Sequence, residues 1–65
     1  MIKVSQEIFE GLDAVRESGL VNMFDKRGVA KIAKTMGYDE TVEWLKSEEG
    51  KSLYSQGIME GFEAE

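Results

Sequence analysis

"SQEIFEGLDAVRESG", Ser5 to Gly19, is the stretch that decides the fold class. Ser5 is suited to accept an orphan backbone N–H at a helix start. Glu7 then falls near the positive end of the helix dipole. Val4, Ile8, Leu12 and Val15 follow the rhythm of one buried helical face. Gly19 predicts a left-handed stop, with Leu20 making the usual apolar contact just beyond it. The wording then returns near the other end of the chain as "SQGIMEGFEA", Ser55 to Ala64. Tyr54, Ile58 and Phe62 take the places of Val4, Ile8 and Leu12, and Gly61 takes that of Gly11. This echo predicts two helices with the same buried profile. They would pack on one another or on equivalent helices of a second copy, with Gly11 near the crossing.

Between the two copies the punctuation is that of short helices. Asp25 predicts the cap of a second helix running to Met36, with Val29, Ile32, Ala33 and Met36 on one stripe. Gly37 ends it, and Tyr38 folds back over its end. Asp39 predicts the start of a third helix to about Glu49, with Val42 and Leu45 inward. Gly50 then breaks the chain before a fourth helix over roughly Ser52 to Phe62, and the final "EAE" is expected to fray. The reading is an all-α fold, a small bundle of three to four short helices in one domain. Absence of proline and abundance of strong helix formers agree with it.

Sixty-five residues bury only about 60% of the surface that the unfolded chain exposes, so the core is marginal. With no Cys and no His, disulfides, thiolate metal sites and the commonest general base are all missing. Packing or oligomerisation must supply the stability, which favours a homo-oligomer, a dimer first. No metal or other cofactor is expected, and an enzyme is the least favoured class. The formal charge of −5 disfavours generic nucleic-acid affinity, which comes from neutralising phosphates with Lys and Arg. No apolar run approaches the ~20 residues of a membrane span. Since "MIKVSQE" has no signal-peptide apolar stretch, a cytoplasmic location is expected.

Four features could carry recognition. "VAKIAKTMGYDETVEWL" has the cadence of a helix-turn-helix. Its would-be recognition helix, however, sets Asp39, Glu40, Glu43, Glu48 and Glu49 against Lys46, so those carboxylates would face phosphates. Arg27, Lys31 and Lys34 form a stripe on the second helix, either a solvated face or a contact for an anion such as a nucleotide phosphate. Trp44 lies about 160° from Val42 on a helical wheel. It is either covered by a neighbouring element or exposed as an interface anchor, a role in which Trp is enriched. Gly11, Gly57 and Gly61, with Phe62, mark positions where another backbone could approach closely. The carboxylates of the first helix, Glu10, Asp13 and Glu17, read as a solvated face.

The phrases "VSQEIFEGLDAVRESGLVNMFD", "MGYDETVEWL" and "LYSQGIMEGFE" resemble a family of short acidic proteins of bacteriophages and prophages that share a domain of unknown function. The resemblance covers nearly the whole chain and brings no catalytic residue with it. It implies a protein made inside an infected bacterium that binds a host or phage protein, with inhibition of host defence as one concrete form. The alternatives are a helix-turn-helix-like DNA-binding accessory or transcriptional regulator, and a binder of nucleotide-type anions through Arg27, Lys31 and Lys34.

Overall fold

A computed structural model describes residues 1–65. Its elements follow in the order β1 (Ile2–Val4), α1 (Gln6–Ser18), α2 (Lys26–Thr35), α3 (Asp39–Lys46), α4 (Glu48–Glu60) and β2 (Phe62–Ala64). Four helices form a small bundle. The two short strands, one at each end of the chain, pair in parallel at its side. No helix is long and apolar enough to cross a membrane.

The local signals act as their chemistry requires. Ser5 caps α1 by accepting the N–H of Ile8 at 3.3 Å, and Gly19 closes the helix at φ +66°. Asp25 caps α2 by accepting the N–H of Gly28 at 3.1 Å. At its other end the N–H groups of Gly37 and Tyr38 bond back to the carbonyls of Lys34 and Ala33. That pair of bonds needs the left-handed residue which Gly37, at φ +86°, supplies. Leu12, Val15, Val29, Ala33, Val42 and Leu45 all reach the core. Leu20 does not make its expected contact and is 70% exposed.

Three expectations are corrected. The break between the last two helices lies at Ser47, not Gly50. The Ser47 hydroxyl donates to the Trp44 carbonyl at 2.6 Å and accepts from the Gly50 N–H at 3.0 Å, so one residue ends α3 and caps α4. Gly50 then sits in the first turn of α4, where a Cβ would lie 1.8 Å from the Trp44 carbonyl oxygen. Second, the C-terminus does not fray. Gly61 (φ +97°) turns the chain out of α4, and Phe62, Glu63 and Ala64 pair with Ile2, Lys3 and Val4. The N–H of Glu65 still donates to Val4 at 2.9 Å. Phe62 is therefore a strand residue, and Val4 likewise lies on β1 rather than in α1. Third, the close approach at Gly11 is to α3. A Cβ there would meet Thr41 Oγ1 at 1.9 Å and Tyr38 Cβ at 3.1 Å. Thr41 is fully buried, and its hydroxyl donates to the Ile8 carbonyl at 3.3 Å, which satisfies a polar group that burial would otherwise penalise. The two ends of the chain meet instead through the strand pair.

Candidate functional site

The residues singled out for an interface divide once they are placed in the fold. Trp44 is 8% exposed and belongs to the core, so it is not a free anchor. Its ring system lies nearly perpendicular to the Phe62 ring, with centroids 5.8 Å apart and planes at 83°. Phe62 also lies 6.0 Å from Tyr54 and covers Gly57, where a Cβ would fall 2.2 Å from the Phe62 ring. Gly11 and Gly57 thus serve contacts within the chain, to α3 and to β2. Gly57, Gly61 and Phe62 do come together around one concavity of about 350 Å³, whose opposite wall is Phe9 and Leu12 of α1. Leu12 at its base belongs to the core, and Phe9 and Ile58 are half-buried against it.

Tyr54 fixes the loop between α1 and α2. Its hydroxyl donates to the Met23 carbonyl at 2.5 Å. Burial, and secondarily the charge of Asp25, push its pKa up to about 12. The same loop leaves Phe24 74% exposed.

Arg27, Lys31 and Lys34 are brought into a larger assembly than the α2 wheel shows. They line an open groove of about 640 Å³ together with Lys26 of the same helix, Lys46 at the end of α3 and Lys51 in α4. Six of the chain's eight Lys and Arg residues border this groove, and none of its thirteen carboxylates does. The groove bottom carries Ala30, Val42 and Leu45. Lys26, Ala30 and Lys34 lie four apart on α2, beside the row Arg27, Lys31 and Lys34, so the cationic wall runs about 12 Å along the helix. All ion pairs lie elsewhere: the Met1 amine with Glu60, and Arg16 with Asp13 and Glu17. Lys26 and Arg27 also occupy the first turn of α2, where the neighbouring acid is the N-cap Asp25, already bonded to the Gly28 N–H. The dipole disfavours cations there by about 0.3–1 kcal/mol each.

Lys46 and Lys51 could not be joined to this set from sequence. They belong to other helices, and the tight α3–α4 corner at Ser47 and Gly50 is what swings them to the same side. No group of three or more carboxylates is placed to hold a metal ion.

Comparison with curated proteins and with solved structures finds no match. A family model described as "Domain of unknown function (DUF5049)" matches residues 4–62, nearly the full length, and the chain belongs to that family.

Proposed function

We propose that this chain is a non-catalytic protein-interaction module whose docking surface is the cationic groove of α2, α3 and α4. One observation carries the reading: six cations gather, without carboxylate partners, around an apolar floor in a protein of net charge −5. Cations dispersed for solubility would intermix with the thirteen acids. Here they are segregated, and two of them sit at the disfavoured end of a helix. Such a patch steers and orients an oppositely charged partner. The resemblance to phage and prophage proteins supports a setting in the cytoplasm of an infected bacterium, and a host or phage protein as the partner. Inhibition of a host defence protein is one form of that role.

A DNA-binding helix-turn-helix is less well supported. Asp39, Glu40 and Glu43 are exposed on α3, the helix that would enter the groove of a duplex. The test compares the wild-type chain with the triple variant R27E/K31E/K34E as immobilised bait in lysates of infected and uninfected cells. The reading expects a protein that the wild type retains at low salt and the variant does not. It fails if both baits hold the same proteins, or if only nucleic acid is retained. In the host-defence form, expressing the chain restores plaque formation on a restricting host, and expressing the triple variant does not.

A further inference from the structure

The groove combines two recognition elements that a plain anion site would not need together. Its rim is a row of point charges, and its floor is apolar. Five of its six cations are lysines, whose stems extend the apolar surface while their ammonium groups reach the edge. Lysine can hold phosphate as a point charge, but geometrically specific phosphate sites add bidentate arginine forks and free N–H groups at a helix start. Only Arg27 is a fork here. The start of α2 is already filled by the Asp25 carboxylate, which accepts the Gly28 N–H. The start of α4 is capped by Ser47 and carries Glu48 and Glu49 in its first turn.

The wall geometry narrows the occupant further. The α2 cations span about 12 Å, slightly more than two turns of helix. Lys46 of α3 and Lys51 of α4 line the same groove, together with Ala30, Val42 and Leu45. A helix laid along this groove would present apolar residues at three- and four-residue intervals to Ala30 and to the lysine stems, with the buried Val42 and Leu45 packed beneath them. Carboxylates flanking its apolar stripe would meet the cations of α2 and those of α3 and α4. We infer that the groove takes an acidic amphipathic helix of the partner protein, with an apolar stripe flanked by Glu or Asp. This rests on the groove being the docking surface, and it adds the shape and chemistry of what docks.

A second copy of the chain is a poorer fit. Its own helices already bury their apolar faces in its core. Basic groove against acidic surface is also a heterologous contact, which does not close into a dimer unless the rotation happens to do so.

The test uses the full chain and synthetic probes. One peptide of about four turns carries leucines at helical spacing with glutamates on both flanks. The second is its sequence-scrambled isomer of equal charge and composition. Inorganic tripolyphosphate and a short DNA duplex complete the set. Fluorescence anisotropy or calorimetry is run at about 0.01 M and about 1 M salt, where screening lengths are about 30 Å and 3 Å. The amphipathic peptide should bind the wild type at least about tenfold more tightly than its scrambled isomer, and R27E/K31E/K34E should lose about tenfold or more, each a change of about 1.4 kcal/mol. Binding should persist in part at high salt, because the apolar floor is not screened.

Equal binding of the two peptides would overturn the inference in favour of a site that reads charge alone. Tighter binding of polyphosphate or DNA would overturn it in favour of a phosphate site. No peptide binding, alongside groove-dependent capture of a partner, would reject the helix and leave the docking surface standing. Groove-independent capture would reject both. A doubled molar mass by light scattering, abolished by the triple variant, would assign the groove to a second copy instead.

Discussion

Replacing Gly50 with Ala sets two physical effects against each other, and the structure says which one wins. Gly50 lies in the first turn of α4, so helix propensity alone predicts that alanine stabilises the protein by up to about 1 kcal/mol. The added Cβ would fall 1.8 Å from the Trp44 carbonyl oxygen and 2.7 Å from its carbon. These are backbone atoms, so no rotamer change relieves the contact. The carbonyl also receives the Ser47 N–H at 3.0 Å and the Ser47 hydroxyl at 2.6 Å. Moving it apart from α4 strains both bonds and the cap that Ser47 gives to Gly50. Overpacking costs about 1–3 kcal/mol and a lost cap about 1 more. Against the propensity gain, the net is a loss of about 1–3 kcal/mol. For a domain of this size, that lowers Tm by about 4–8 °C per kcal/mol. Thermal unfolding followed by circular dichroism, with exposed Ser52→Ala as the propensity control, reads the sign directly. A Gly50→Ala protein that melts at or above the wild-type temperature would show that the Trp44 carbonyl does not exclude a Cβ at this position. The same corner places Lys46 and Lys51 on the groove, so the variant should also weaken groove-dependent binding under conditions where it remains folded.

Gly11→Ala should destabilise by about 1–3 kcal/mol through overpacking against Thr41, although propensity again favours alanine. Moving the small residue across the interface, in the double variant Gly11→Ala/Thr41→Gly, should lose less in urea unfolding than the two single changes summed. Strict additivity would count against a direct contact. Phe62→Ala should cost about 2–4 kcal/mol, because the ring packs on Trp44, Tyr54 and Gly57; a cost within about 0.5 kcal/mol would return β2 to the frayed state read from the sequence. The Tyr54 hydroxyl has its pKa raised from 10.0 to about 12 in the folded state. The folded protein therefore holds this proton more tightly than the unfolded chain. The associated stability is complete below pH 10 and is lost as pH rises through about 12. Each pKa unit is worth about 1.4 kcal/mol, so the loss is on the order of 1–3 kcal/mol. Tyr54→Phe should flatten the stability profile over that interval in pH-dependent unfolding, and an unchanged slope would exclude Tyr54 as its source.

The helices were legible because their signals are local. Ser5, Asp25, Gly19 and Gly37 act within one turn of chain, and the apolar stripes of α1 and α2 need only helical spacing. The echo misled because identical letters met different surroundings. In the first copy a strand leads into a helix, and Gly11 lies mid-helix against Thr41. In the second a helix leads out into a strand, and Gly61 is the exit, with Phe62 folding back over Gly57. Strand pairing between residues sixty positions apart leaves no trace in a window of ten. The same limit applies to the candidate site. Arg27, Lys31 and Lys34 were visible as one helical stripe, but Lys46 and Lys51 join it only through the Ser47 corner. Trp44 looked displaced from the core because Val42 and Leu45 define one side of α3. In fact α3 is covered on several sides, with Thr41, Val42, Trp44 and Leu45 all buried.

Partners are proposed to meet this protein at the cationic groove. The most direct measurement is amide chemical-shift mapping of the isotope-labelled chain during titration with the acidic amphipathic peptide. Shifts should gather on the Lys26–Lys34 face of α2 and around Val42, Leu45, Lys46 and Lys51, and they should vanish in R27E/K31E/K34E. Shifts gathered instead on the concavity between Phe9 and Phe62, or unchanged by the triple charge reversal, would contradict it.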